Sequence, residues 1–155
     1  MAVPFKAPVK DITFGYEVID SYNILNKISE FSDFSEDIVI PTMEECAKFS
    51  EEVLAPINAI GDQQGATIDN GVVKMPQEFV DAYKKFAEAG WASISLPEEI
   101  GGGGQPITLS GGTLEILSTA NLAFGLAPGL SAGAISAINF HGSQEQKDTF
   151  LPKLV

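Results

Sequence analysis

The run Gly101 to Gly104 sets the first limit on this chain, because helices and strands both lose stability when side chains are missing from their interiors. Ordering such a backbone also costs more conformational entropy than ordering any other. What glycine offers is sharp bending and close approach, since without a Cβ the backbone lies directly against a neighbour. The residues before the run suit that use. Gly90 reads as the C-cap of a helix, Trp91 as a large anchor just beyond it, and Ile94 and Leu96 add apolar weight to a turn at Pro97, Glu98 and Glu99. An apolar segment followed by glycines and a helix is also how a phosphate or dinucleotide loop begins. The spacing does not fit one. The third glycine of G-x-G-x-x-G falls on Pro106 when counted from Gly101 and on Ile107 when counted from Gly102, and no Gly-Lys-Ser/Thr follows. The run therefore reads as a structural turn or a pocket-lining loop.

On both sides of this loop, apolar residues recur at helical spacing. Before it, Phe79, Val80, Tyr83, Phe86 and Ala87 predict a helix that opens near Pro76 and stops at Gly90, with Glu78 and the pair Lys84 and Lys85 placed to suit the helix dipole. Further back, Met43, Cys46, Ala47, Val53 and Leu54 share a face over Asp37 to Leu54. Pro41 is expected near the regular start of that helix, and Pro56 is expected to end it by pushing Ala55 out of the α region. Asn58 to Pro76 has little periodicity and holds Asp69-Asn70-Gly71, which predicts an ordered loop or a small hairpin. Ile12, Tyr16, Ile19 and Tyr22 give Asp11 to Asn26 a loose helical pattern behind an extended lead-in marked by Pro4 and Pro8.

After the glycines, Thr108 or Ser110 is expected to cap a helix reaching about Asn121, apolar on more than one side through Leu114, Ile116, Leu117 and Ala120. Pro128 is expected to start a helix of small residues ending toward Phe140. Gly133 inside it costs about 1 kcal/mol relative to alanine, so small size has a use there, either for a close helix neighbour or for a ligand. Ser143 and Gln146 form a capping box for a short last helix, with Gly142 closing the helix before it and Pro152 ending the run. The fold expected is all-α, a bundle of about five or six helices with a glycine-rich loop and a small hairpin. Residues 1-35 are an amino-terminal extension and 36-155 the helical domain.

Composition narrows the function classes. A net charge of −12 disfavours nucleic acid and anionic membrane surfaces, and mildly disfavours an anionic ligand binding to this segment alone. A lone cysteine, Cys46, excludes an internal disulfide and reads as a small buried apolar residue. The first residues, MAVPFKAPVKD, hold no apolar leader segment, and no window approaches the roughly 18 uninterrupted apolar residues that suggest a bilayer span. A cytoplasmic location follows by default.

The candidates for chemistry are few. His141 is the lone histidine and stands at a helix carboxyl end, where capping is a commoner role than catalysis. It has neither a nucleophile beside it nor companions for a metal. Glu44 with Glu45 and Glu51 with Glu52 point in different directions on a helix and read as a solvated face. Glu98 and Glu99 lie in a turn, where they could orient the loop through backbone amides.

Taken in order, Gly90-Trp91, Leu96-Pro97-Glu98-Glu99 and Gly101-Gly102-x-Gly104 resemble the amino-terminal helical domain of the acyl-CoA dehydrogenase family. Glu115, Ala120-Asn121, His141-Gly142-Ser143-x-Glu145-Gln146-Lys147 and Phe150-Leu151-Pro152 follow at about the family's spacing. Phe14, Glu17-Val18-Ile19-Asp20, Leu54-Ala55-Pro56-Ile57-Asn58 and Gly61-Asp62 resemble its large-subunit branch, which includes enzymes acting on 3-methylthiopropanoyl-CoA.

The resemblance implies a wall of the acyl pocket in an FAD-dependent oxidoreductase of fatty acid metabolism. In that family a glutamate removes the α proton of an acyl-CoA thioester while the β hydride passes to the flavin. It implies Leu96, Pro97, Gly129, Ala132 and Gly133 as substrate-binding positions, and a homo-oligomeric full-length enzyme. No residue here matches the family's catalytic base, its main flavin-contact motif or a metal ligand. Counterparts of the β-domain and the carboxyl-terminal helical domain are absent, so the resemblance implies an amino-terminal portion that is not competent alone. The competing expectation is a stand-alone helical interaction module. An unrelated small hydrolase lacks the necessary nucleophile and base. An apolar helix left half exposed around Leu114 to Ala123 would favour the first of these readings, and a closed core the second.

Overall fold

A computed structural model describes residues 4–155; residues 1–3 of the extended lead-in lie outside the described residues. The all-α class holds, with more helical segments than the spacing suggested. In order they are α1 (Val9–Val18), α2 (Ser21–Leu25), α3 (Glu36–Phe49), α4 (Ala55–Gln64), α5 (Gln77–Glu88), α6 (Ile107–Ala120), α7 (Leu122–His141) and α8 (Gln144–Leu154). The loose helical pattern at the amino end is two helices, divided at Asp20, which takes a left-handed conformation at φ 55°.

The hairpin is present. Strands β1 (Thr67–Asp69) and β2 (Val72–Lys74) pair antiparallel in the register Thr67 with Lys74, Ile68 with Val73 and Asp69 with Val72. The turn residues Asn70 and Gly71 both have positive φ, 49° and 79°, as a two-residue hairpin turn of matching twist requires.

Four proline expectations are corrected. Pro41 does not mark the start of α3, which begins five residues earlier at Glu36, and Pro152 lies inside α8 rather than ending it. Pro56 does not end its helix. Ser50–Leu54 winds as a π turn, Ala55 keeps helical angles (φ −62°, ψ −41°), and the chain runs on into α4 with proline in its first turn. The wider turn takes up the space that the ring needs, and a proline's missing N–H matters least in a first turn. Residues 58–64 are therefore helix rather than loop. Pro128 likewise lies within α7, which starts directly after Asn121. Nor do Thr108 and Ser110 cap α6. Pro106 precedes it, and the Ser110 hydroxyl donates back to the Ile107 carbonyl.

The core forms where α3 and its π turn cross α6, with α5 and α7 closing the sides. Met43, Cys46, Leu54, Leu109 and Ile116 are buried there, joined by Phe79, Phe86 and Phe124. Full burial of such side chains is worth about 1.5–3 kcal/mol each. Tyr16 and Phe34, from the first 35 residues, belong to the same cluster. Cys46 is sealed in it as expected, its thiol pushed up to about 12 by burial and held near the Thr113 carbonyl.

Asn121 is also buried and links three elements. Its Oδ1 accepts from the Phe124 amide at 3.0 Å, capping α7, and its Nδ2 donates to the Leu54 carbonyl at 3.1 Å, at the end of the π turn. The capping box at the start of α8 forms as expected, with the Ser143 hydroxyl accepting from the Gln146 amide and the Gln146 side chain accepting from the Ser143 amide.

Much of α7 is bare. Leu122, Leu126, Leu130 and Phe140 are all more than 60% exposed, as is Ile107 on α6, and Leu114 is 53% exposed. This corrects the expectation that no stretch approaches a bilayer span: among the described residues α7 is the one helix long and apolar enough to cross a bilayer by length and composition.

Candidate functional site

The segment from Gly90 to Pro106 is a loop folded back on itself. Gly90, at φ 72°, ends α5 in a Schellman arrangement: its amide donates to the Ala87 carbonyl at 3.0 Å, and the Trp91 amide reaches the Phe86 carbonyl at 3.4 Å. Trp91 then packs beside Phe49, with ring centroids 6.3 Å apart.

The glycines return along the backbone they have just left. Gly103 donates to Ser93 at 2.9 Å, Gly104 to Leu96 at 2.9 Å and Gln105 to Ile94 at 3.0 Å. A Cβ on Gly102 would overlap the Leu96 backbone, and one on Gly103 would stand 2.8 Å from the Ile94 carbonyl oxygen. The run is thus a close backbone approach. Its amides are consumed within the loop, which leaves no cradle for a phosphate. Glu98 and Glu99 do not orient the loop through their carboxylates; the Glu98 backbone carbonyl accepts from the Gly101 amide instead.

This construction holds Leu96 over a cavity of about 270 Å³ between the loop, α6 and α7. The loop contributes Trp91, Ala92, Ser95 and Leu96 to its lining. Helix α6 adds Ser110, Thr113, Leu114 and Leu117, and α7 adds Phe124, Gly125, Gly129, Ala132 and Ser136. Of the positions expected from the sequence, Leu96, Gly129 and Ala132 converge on this one cavity. Pro97 lines a smaller neighbouring hollow of about 240 Å³ that shares Leu96, and Gly133 lines neither. A Cβ on Gly129 or on Gly133 meets nothing within 4 Å.

The aromatic end of the cavity, Phe86 with Trp91 and Phe124, was not expected from the sequence. Phe86 and Phe124 meet edge to face at 5.6 Å. Their signal was present, since Phe86 falls on the apolar stripe of α5, but only the packing of α5 against the start of α7 turns that stripe into a cavity wall.

A broader depression of about 450 Å³ lies between α1 and α6, with Asp11 and Glu115 among its lining residues. Tyr16 lines it too, but its hydroxyl is spent on the Thr108 carbonyl and its pKa is pushed up to about 12, chiefly by burial and then by Tyr22 and Glu115 nearby. It stays protonated at neutral pH, so it offers no base. Glu51 is held below the usual carboxylate range by the Lys6 ammonium and the Ala7 amide, a tie between the amino-terminal segment and α3's continuation rather than a site. His141 is exposed at the end of α7. Among the described residues, no cluster of His, Cys, Asp and Glu could hold a metal ion.

Known proteins resemble this chain over most of its length. A family model described as the acyl-CoA dehydrogenase N-terminal domain matches residues 41–155. The chain is 37% identical over 151 residues to a 3-methylmercaptopropionyl-CoA dehydrogenase from Ruegeria pomeroyi, covering 97% of this chain and 26% of that protein. It is 27% identical over 150 residues to a butyryl-CoA dehydrogenase from Syntrophomonas wolfei, covering 94% of this chain and 24% of the relative. A third similarity, 39% over 79 residues, is to an NADH-dependent acryloyl-CoA reductase from Anaerotignum propionicum, covering 46% of this chain and 18% of that protein. The chain spans about a quarter of the length of the first two relatives.

Proposed function

Because this chain belongs to the acyl-CoA dehydrogenase family, as its amino-terminal domain, we propose that it forms one wall of the acyl pocket in an FAD-dependent enzyme that desaturates an acyl-CoA thioester, and that it is not catalytic alone. Residues 36-155 are read as that domain, and residues 1-35 as an extension packed onto it. The observation that carries the proposal is the 270 Å³ cavity in which Leu96, Gly129 and Ala132 meet, apolar for most of its surface and bounded by a loop whose shape is fixed by backbone bonds. A cavity that is mostly apolar with a few polar groups suits the hydrocarbon end of a small ligand.

The residues here do not fit the flavin itself. The glycine amides are already bonded and the cavity is small, so FAD belongs to other parts of a longer polypeptide, and the work of this domain is to receive and shape the acyl tail. The bare apolar surface of α7 and of Leu114 supports a domain covered by further protein, and disfavours a self-contained interaction module. By the same family reading the full-length enzyme is a homo-oligomer. A short ester, such as the 3-methylmercaptopropionyl-CoA in the name of the R. pomeroyi relative, is a suitable first substrate.

Gly129→Glu tests the wall directly. The new side chain projects into open space at the cavity, so the longest acyl-CoA accepted by the full-length enzyme shortens, with kcat/KM for longer esters falling about tenfold or more while the shortest ester is little changed. Gly133→Leu, one turn further along α7, has the smaller effect. A chain-length profile unchanged by Gly129→Glu would remove the wall assignment.

A further inference from the structure

Resting on the reading that the acyl tail enters the cavity between the loop, α6 and α7, we infer that Leu96 is the stop for the far end of that tail, closing off a second hollow that longer chains would otherwise enter. The cavity of about 270 Å³ and its neighbour of about 240 Å³ have three lining residues in common, Ser95, Leu96 and Ile107. Ile107 is 80% exposed and stands at the rim of this shared wall, whereas Leu96 is partly buried and forms its apolar middle. The far side of the hollow comes from the amino-terminal segment, through Leu25, Glu30 and Phe31. Leu25 and Phe31 pack against the core, so that side is as firmly placed as the loop.

The shared wall is held by backbone. The Leu96 amide donates to the Ser93 carbonyl at 3.1 Å, and its carbonyl accepts from the Gly104 amide at 2.9 Å. Gly102 passes so close that a Cβ there would lie 2.5 Å from the Leu96 Cβ. The Ser95 hydroxyl donates to the Pro106 carbonyl at 3.1 Å, which ties this part of the loop to the start of α6 beside Ile107. A tail that reaches Leu96 therefore meets a side chain on a backbone that does not slide aside. Removing that side chain would join the two spaces and nearly double the volume open to the tail. Each further buried methylene is worth about fourfold in binding, so a length limit set here is steep.

The test uses the full-length flavoenzyme and straight-chain saturated acyl-CoAs from butanoyl to dodecanoyl, with kcat/KM and flavin bleaching read for each. For the unaltered enzyme kcat/KM falls about tenfold or more at one length in the series. Leu96→Ala raises the ratio of that first rejected ester to butanoyl-CoA by about tenfold, and Leu96→Val, the milder change, raises it by about threefold and carries the test if the alanine variant does not fold. Glu30→Trp fills the hollow from an exposed position that does not line the first cavity. Added to either Leu96 variant, it returns the ratio to within about twofold of the unaltered enzyme. A ratio unmoved by the Leu96 variants, or an unaltered enzyme that accepts every length alike, would overturn the inference while leaving the acyl-CoA dehydrogenase reading intact. A raised ratio that Glu30→Trp does not reverse would overturn the role of the second hollow. Bleaching by no ester in the series would overturn the underlying reading of the site.

Discussion

Gly102→Ala lowers the stability of the domain by about 3 kcal/mol, at the upper end of what a single overpacking change costs. The site has no room to relax cheaply. The added methyl would overlap the carbonyl group and Cβ of Leu96, and backbone yields less readily than the end of a flexible side chain. To accommodate it the two limbs of the loop must separate, loosening the bonds from Gly103 to Ser93, Gly104 to Leu96 and Gln105 to Ile94. Gly111→Ala is the control. A Cβ at Gly111 meets nothing within 4 Å, and the residue lies inside α6, so this change is neutral or stabilising by up to about 1 kcal/mol. Urea denaturation followed by the fluorescence of Trp91, this chain's one tryptophan and a member of the loop, reads both variants. Equal midpoints for Gly102→Ala and the unaltered protein would show that the glycines are not in close backbone contact.

Asn121→Ala costs a comparable amount, roughly 2–4 kcal/mol, by a different route. The substitution removes the cap of α7, worth about 1 kcal/mol, and deletes the donor to the Leu54 carbonyl in a place water does not reach. Asn121→Ser separates the two parts, since serine restores an acceptor for the Phe124 amide without reaching Leu54. It recovers about 1 kcal/mol of the loss. The measurement is the shift in thermal midpoint for the two variants. If alanine and serine were equally stable, the cap would contribute nothing; if alanine matched asparagine, the link between α7 and the π turn would be absent.

The features legible in the sequence were those decided by local chemistry. Glycine at the end of α5 predicts a left-handed cap, and the Trp91 amide completes it; Asn70-Gly71 predicts the hairpin turn; Ser143 and Gln146 predict their own box. Prolines misled because their cost was judged without position. Pro56 lies in the first turn of α4 behind a wider turn, Pro41 and Pro128 lie within the first two turns of α3 and α7, and Pro152 lies in the last turn of α8. Pro41, Pro128 and Pro152 lie beyond the first turn and each forgoes an i to i−4 bond, a loss that the packing of the apolar faces outweighs.

The same division runs through the candidate site. Leu96, Gly129 and Ala132 were reachable through the family's motif order. The aromatic end of the cavity was not, because it depends on α5 meeting α7, a contact between elements far apart in sequence. Nor was it legible that the Ser95 and Thr113 hydroxyls donate to the Pro106 and Ser110 carbonyls, since a hydroxyl's partner is fixed only once the backbone is.

Whether this domain works inside an acyl-CoA dehydrogenase is read most directly by purifying the polypeptide from its native source, measuring its intact mass and flavin spectrum, and adding butanoyl-CoA or 3-methylmercaptopropionyl-CoA without oxygen. The expected result is a yellow protein several times heavier than the 16.5 kDa of this chain, whose flavin band bleaches as the α,β-unsaturated ester forms. A colourless species of 16.5 kDa that leaves both esters unchanged would contradict it.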